Sequence, residues 1–417
     1  MTSGQGRPAG AAPVGAEAES AAPGGDGPLP DRNVAADLRP DRSSTRRTVH
    51  DRIPFTDLAA MTREVRSEVD AAFARILDSG CFIGGEDVER FEQQWAAYCR
   101  TAHAVGVANG TDALQLALRA LDIGTGDEVL VPTNTFVGTA EAVVLAGATP
   151  RFADVSPQTL LLTPVTLEAA LSRRTRAVIV VHLYGQVADM DAIVRVAASA
   201  GVDVIEDAAQ AQGANWLGRP AGSFGHVGCF SFYPAKNLGA FGDAGAIVTE
   251  DADLARRVRC MRDHGRSAGS HYEHRLLGTN SRMDTLQAAV LSVKLTRLEK
   301  WTAARRVLAG IYRAQLADGP VRLVEDLSGG GHGYHLLVAR VRAREHARRR
   351  LLQAGIETGL HYPVPCHQLP PYARYPHGAL PVAEQAAGEI LSLPMFPHMT
   401  ADQVSRVCQE LQEAVAA

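Results

Sequence analysis

Three short stretches of the 417-residue chain place chemically capable side chains at the ends of apolar runs. The first is Ser231-Phe232-Tyr233-Pro234-Ala235-Lys236-Asn237-Leu238-Gly239, where a lysine follows a strand-like run amid aromatic, proline and glycine residues. A lysine kept from water in such a loop has a lowered pKa and can act as an imine-forming amine. Most lysines are solvated surface charges, but Lys236 is the only one before Lys294, so a scattered surface role is less natural here. The second stretch, Val204-Ile205-Glu206-Asp207-Ala208-Ala209-Gln210, ends an apolar run in carboxylates, at the edge where open parallel sheets place ligands. A carboxylate there can hold a positive ring nitrogen through a charge-assisted hydrogen bond; the alternative is a helix cap or a salt-bridged loop acid. The third, Asn109-Gly110-Thr111-Asp112-Ala113-Leu114, sits where a strand gives way to a helix, and free N–H groups there suit a phosphate. An ordinary N-cap by Thr111 or Asp112 is the other reading. The stretch lacks the GK[ST] ending of a Walker A loop, and no dinucleotide GxGxxG pattern is present.

Together the three supply a phosphate cradle, an acid for a pyridinium nitrogen and a Schiff-base lysine, the parts of a pyridoxal phosphate site. A scaffold of alternating strands and helices must position them. Ala104–Val107, Glu128–Val131, Thr149–Phe152, Ala177–His182 and Val202–Glu206 read as strands. Helical patterns at Ala113–Leu121, Thr139–Leu145, Thr166–Leu171 and Met190–Ala200 fall between them. Cys229–Tyr233 and Gly245–Thr249 add two short strands, and this alternation predicts an α/β fold with a largely parallel sheet. Met61–Leu77, with Val65, Val69, Phe73 and Leu77 four apart, reads as an amphipathic helix, and Phe91–Tyr98 as another. Asp251–Asp263 and Asp284–Leu308 are long helical patterns, and His335–Val341 reads as a strand of a smaller C-terminal lobe.

Residues 1–50 are rich in Gly, Ala and Pro, then in Arg and Asp, and predict a disordered tail. A large domain over 51–308 and a small C-terminal domain over 309–417 follow from the change of pattern. The 46% hydrophobic and 21% charged composition suits a soluble chain with a sizeable core. The net charge of −4 gives no overall basic field for nucleic acid, and no apolar run reaches the length of a membrane span. The start of the chain lacks the apolar core of a secretion signal, so a cytoplasmic location is expected. The six cysteines include no Cys-x-x-Cys pair, which argues against a zinc cluster or a disulfide framework.

Beyond these stretches, Phe82-Ile83-Gly84-Gly85 with Phe91-Glu92, Pro132-Thr133-Asn134-Thr135-Phe136, His182-Leu183-Tyr184-Gly185-Gln186, Asn280-Ser281-Arg282-Met283-Asp284 and Leu286-Gln287-Ala288-Ala289 occur in order. With them the chain resembles the DegT/DnrJ/EryC1/StrS family of sugar aminotransferases from Ile53 to near its C-terminus. The resemblance implies the aspartate aminotransferase type I fold, with a large domain built on a mostly parallel sheet and a smaller C-terminal α+β domain. It also implies pyridoxal 5′-phosphate as cofactor. Lys236 then matches the lysine that carries the cofactor and shuttles a proton, Asp207 the acid facing the pyridine nitrogen, and Gln210 the partner of the 3-hydroxyl. Gly110, Thr111 and Ser231 match phosphate ligands, and Phe136 the ring stacked on the cofactor. Asn280 matches a residue reaching the neighbouring subunit's phosphate, which implies a homodimer with shared sites; the alternative is that Asn280 caps its own helix.

Some members carry histidine at the lysine position and deoxygenate; lysine here favours amino transfer, with L-glutamate the family's usual donor. The Lys236–Gly245 segment and His361-Tyr362-Pro363-Val364-Pro365-Cys366-His367 look most like the branch that aminates the 3-keto group of nucleotide-linked, dTDP-type, 6-deoxyhexoses in amino-sugar and antibiotic biosynthesis. His361 and Tyr362 are candidates for contacting the sugar, unless the segment is a proline-braced turn. Tyr184 and His182 either face the pocket or cap it, and Tyr272 is a further candidate. No acidic cluster accompanies the paired histidines, so no metal is expected. Amination at C4, pyridoxal-dependent sugar dehydration and a non-catalytic regulator on the same fold are the alternatives.

Overall fold

The computed structural model describes residues 52–267, 269–270 and 272–416, so the tail expected over 1–50 lies outside the described residues. Among the described residues, nine strands and nine α-helices precede Ala317. The strands are β1 (His103–Val107), β2 (Glu128–Pro132), β3 (Thr149–Ala153), β4 (Thr175–Val181), β5 (Asp203–Asp207), β6 (Asn215–Trp216), β7 (Arg219–Pro220), β8 (Val227–Ser231) and β9 (Gly245–Thr249). The helices are α1 (Leu58–Ser79), α2 (Glu86–Cys99), α3 (Gly110–Ala120), α4 (Val137–Leu145), α5 (Pro164–Ala170), α6 (Met190–Ala200), α7 (Ala252–Met261), α8 (Thr285–Leu295) and α9 (Leu298–Leu316). Seven strands form one sheet in the order β1-β9-β8-β5-β4-β2-β3, and β6 pairs with β7 in a separate ribbon. Only β9 opposes the rest, pairing antiparallel with both β1 and β8. Helices cover both faces of such a sheet, so its strands must be apolar throughout. In β4, Thr-Arg-Ala-Val-Ile-Val-Val, every residue but Arg176 is buried.

Local chemistry sets the helix ends. The Asn109 side chain accepts the Asp112 N–H at 2.8 Å and starts α3, and Asp189 starts α6 in the same way. Gly201, at φ 66°, ends α6 in the left-handed conformation that favours glycine. Beyond α9, strands β10 (Arg322–Leu323), β11 (Leu337–Arg340) and β12 (Ile390–Leu393) form a second, antiparallel sheet. It is accompanied by α10 (Arg344–Gln353), α11 (Pro381–Glu389) and α12 (Ala401–Ala416). A second apolar core gathers here, from Leu308, Tyr312 and Leu316 through Leu391 and Leu393 to Val404 and Leu411, with Ile53 packed into it.

Two expectations are corrected. In α1 the buried face is Met61, Val65, Val69, Ala72 and Ile76, whereas Leu77 is 65% exposed. Each four-residue step overshoots a full turn by about 40°, so the series from Val65 has left the core by Leu77. The single pattern Asp284–Leu308 is two helices, broken at Thr296-Arg297. Arg297 pairs with Glu68, and Trp301 Nε1 donates to Glu64 at 2.9 Å, so contacts with α1 redirect the chain. No helix among the described residues is long and apolar enough to cross a membrane.

Candidate active site

A cavity of about 630 Å³ opens at the carboxyl ends of the parallel strands. Asn109, Gly110 and Thr111 after β1, Thr135 and Phe136 after β2, Asp207 at the end of β5 and Ser231 at the end of β8 line it. Lys236 lines it from the loop after β8, and His335, His361 and Tyr362 from the C-terminal part of the chain. Of the residues proposed for cofactor or sugar, all except Tyr184, His182, Tyr272 and Asn280 therefore meet at one place.

The β5 terminus separates two neighbouring acids, because successive strand residues point to opposite faces. Glu206, fully buried, accepts the N–H groups of Gly222, Phe224 and Gly225 at 2.6–2.7 Å and His182 Nε2 at 2.8 Å. The Ala188 N–H donates to His182 Nδ1 at 3.4 Å, so the ring proton sits on Nε2 and His182 braces Glu206 rather than facing the cavity. Asp207 points the other way. Its Oδ2 accepts the Thr139 hydroxyl at 2.8 Å and its Oδ1 the Ala209 N–H at 3.2 Å. The Thr135 hydroxyl lies 2.8 Å from that of Thr139 and donates to it, since the Thr139 proton is used on Asp207. Burial raises the Asp207 pKa above its ordinary value, while these two bonds and the nearby Lys236 and His182 pull against that rise.

Lys236 follows a tight turn in which its N–H donates to the Tyr233 carbonyl at 2.8 Å. A Cβ on Gly239 would lie 2.2 Å from the Pro234 carbonyl oxygen, so only glycine closes this loop. Lys236 is half-buried, with its open side toward the cavity. Removal from water lowers its pKa to about 8, and the charge of Asp207 opposes the fall.

At the α3 start, a Cβ on Gly110 would stand 2.7 Å from Ser231 Cβ. Glycine at 110 lets the first amides of α3 and the Ser231 hydroxyl share one concave wall. Phe136 is 53% exposed at the mouth, its ring 5.7 Å from that of Tyr362. Gln210 is fixed at both ends: its Oε1 accepts the Tyr184 N–H at 2.6 Å and its Nε2 donates to the Tyr362 hydroxyl at 3.1 Å. Tyr184, expected at the substrate, stands one layer behind the wall. Its hydroxyl donates to the His361 carbonyl at 2.7 Å, and its backbone has φ 64°. His361 stacks on Phe55 with 5.7 Å between ring centres, and burial beside Lys236 lowers its pKa to about 4.

Asn280 is exposed and lies outside the cavity wall, as does Tyr272. The N-cap of α8 is Asp284, so Asn280 does not cap that helix. Thr139, His335 and Arg305 were not found from sequence. Thr139 lies in the first turn of α4 and Thr135 just before that helix, so no helical spacing marked the pair. Among the described residues no group of three His, Cys, Asp or Glu side chains is placed to hold a metal ion.

The model of the DegT/DnrJ/EryC1/StrS aminotransferase family matches residues 63–412. The chain belongs to that family. A family member from Streptomyces venezuelae, dTDP-3-amino-3,4,6-trideoxy-alpha-D-glucose transaminase, is 47% identical over 365 residues, covering 87% of this chain and 96% of the relative. The crystal structure of S. venezuelae DesV in complex with a ketimine intermediate superposes with a TM-score of 0.85 at 46% identity, covering 88% of this chain and 99% of that one. NtdA from Bacillus subtilis, solved with bound cofactor PMP, gives a TM-score of 0.82 at 31% identity, covering 90% of this chain and 87% of that one. This family member is thus an aminotransferase with the α/β fold of those enzymes, and its cavity is where the family's chemistry must be sought.

Proposed function

We propose that the protein moves an amino group from L-glutamate to the 3-keto group of a nucleotide-linked, dTDP-type, 6-deoxyhexose, with pyridoxal 5′-phosphate as cofactor. The observation that carries this reading is the joint placement of a lysine of lowered pKa and a buried carboxylate on one cavity whose wall includes a helix start. The residues present fit that cofactor: the missing Cβ of Gly110 leaves a concave cradle beside Ser231, and no protein cation is hydrogen-bonded to Asp207 among the described residues. Gly110, Thr111 and Ser231 would hold its phosphate, Asp207 its ring nitrogen, Gln210 its hydroxyl, and Phe136 its ring face. When bound, the cofactor supplies an electron sink for the carbon losing its proton.

The rest is done by the chain. At pKa about 8, roughly one Lys236 Nζ in ten is neutral at pH 7, about 300-fold more than for an ordinary lysine near 10.5. That free amine can attach the cofactor, be displaced by the incoming amine and then carry the proton between carbons. Asp207 must be ionised to be useful, and the Thr139 and Ala209 donors favour that form against burial. Gln210, with both ends committed, offers a fixed edge rather than a mobile amide. The name of the S. venezuelae relative supports a dTDP-linked sugar aminated at C3. Exposed Asn280, outside its own cavity, suits a homodimer with shared sites.

Incubation with L-glutamate and a panel of nucleotide 3- and 4-keto sugars, read by mass spectrometry, tests the reading. The expected products are 2-oxoglutarate and a 3-amino sugar. Absence of 2-oxoglutarate with every keto sugar, or water loss without it, would refute amino transfer.

A further inference from the structure

Arg305, on α9, is 2% exposed and lines the cavity. Its Nη1 donates to the Tyr334 carbonyl at 3.1 Å and to the Met395 carbonyl at 2.7 Å. Its Nε is buried with no hydrogen-bond partner. Among the described residues no carboxylate pairs with it, and burial alone lowers its pKa to about 10. His335 lines the same cavity, and its Nδ1 is also buried without a partner. Burial and the nearby Lys236, Arg305 and His361 hold the His335 pKa well below its ordinary value, and all four residues line this cavity.

A guanidinium taken out of water without an anion is a costly arrangement, and the cost falls only when a carboxylate or phosphate meets it. Two carbonyls on Nη1 fix the plane of the group. The edge formed by Nε and Nη2 is left over, and this edge takes a carboxylate through two parallel hydrogen bonds.

We infer that Arg305 and His335 form the subsite for the α-carboxylate of the amino-group donor, beside Lys236. The inference rests on the proposed amino transfer and names the part of the site that recognises the donor. Geometry favours a donor carboxylate over the diphosphate of the sugar nucleotide. In an amino acid the carboxylate is bonded to the reacting carbon itself, so it must bind next to the lysine. A diphosphate on C1 is separated from a C3 keto group by two ring bonds and the glycosidic oxygen, and belongs further from Lys236. His335, a neutral ring lining the cavity, can donate one ring N–H without adding a second fixed charge.

The test is calorimetric titration of the holoprotein with succinate, an unreactive dicarboxylate, and separately with dTDP. Arg305→Met should weaken succinate about 100-fold, the loss expected for a charge-assisted bidentate contact, and leave dTDP within about twofold. The KM for L-glutamate should rise by the same factor while that for the keto sugar stays put. A loss of dTDP affinity instead would assign the guanidinium to the diphosphate. No change in either ligand would reduce Arg305 to a tie between Tyr334 and Met395; both outcomes overturn the inference. His335→Phe leaves those carbonyl bonds alone and should cost succinate about tenfold; unchanged binding there counts against the subsite even if Arg305→Met fails to fold. A wild-type protein that binds succinate through Arg305 but transfers no amino group would sink the proposed function and leave the subsite standing.

Discussion

Gly110→Ala probes the cradle with one methyl group. The added Cβ would lie 2.7 Å from Ser231 Cβ, 3.2 Å from its Cα and 3.4 Å from its Oγ. Carbon atoms in ordinary contact stand about 3.5–4.0 Å apart, so the two walls must separate by roughly 0.8 Å or more. Retreat on one side is blocked, because a Cβ on Gly245 would already meet the Asn109 carbonyl oxygen at 2.4 Å, so these backbones are in close contact. Overpacking of this kind costs about 1–3 kcal/mol of stability. A shift of that size also stretches an N–H···O bond from about 2.9 Å past the useful limit of about 3.5 Å. Losing one or two bonds to a charged phosphate, each worth about 1.5–3 kcal/mol, weakens the cofactor by a factor of roughly 10 to 20,000. The assay is an absorbance titration of cofactor-free protein with pyridoxal 5′-phosphate, alongside thermal unfolding. Gly310→Ala is the control. That residue is exposed in α9 with nothing within 4 Å of its added Cβ, so alanine should gain up to about 1 kcal/mol and leave affinity unchanged. A Gly110→Ala protein that binds the cofactor within about threefold of wild type would refute the cradle.

Lys236 should be the reactive amine of the cofactor-free protein, its acylation rate rising with pH through a midpoint near 8 rather than 10.5. In the loaded protein borohydride should fix the cofactor to the Lys236 peptide. Label on Lys294, buried against the Gly239 carbonyl, or on Lys300, paired with Glu64, would overturn the assignment. Asp207→Asn should keep the fold and lower turnover about 100-fold or more, because an amide cannot favour a protonated ring nitrogen; near-normal turnover would give Asp207 another role. The folded pKa of Asp207 lies above 3.8, so wild-type stability is full below 3.8 and falls as pH rises through the folded value. Cofactor-free Asp207→Asn should therefore be the more stable protein at pH 7, with the gap closing in acid, as read by urea unfolding at the two pH values. Mixing Lys236→Ala subunits with subunits disabled at Asn280 should restore activity by leaving one intact site per heterodimer, and confirmed heterodimers without activity would mean that Asn280 does not serve a neighbour.

The α/β alternation, the positions of Lys236, Asp207 and Gly110, and the strand ends that carry them were legible in the sequence. These are local properties. An apolar run stops where a strand stops, and the residue type just beyond it is printed next to the signal that locates it. Membership of the family was equally legible, since its markers occur in order along the chain. What each acid does was not. Glu206 and Asp207 are neighbours in sequence, and only the sheet turns one toward the Gly222–Gly225 loop and the other toward Thr139. Thr139 is 68 residues from Asp207, and Arg305 reaches the carbonyl of Met395, 90 residues on. Tyr184 looked like a substrate contact by its place after a strand, yet a left-handed turn puts it behind Gln210. The same holds for the break between α8 and α9, where the helical pattern continues but Glu64 and Glu68 on α1 decide the direction. Periodicity records which face of an element is buried, and residue type records what chemistry is available. The partner across a cavity is chosen by chain closure over tens of residues, a property of the packed whole that no local window carries.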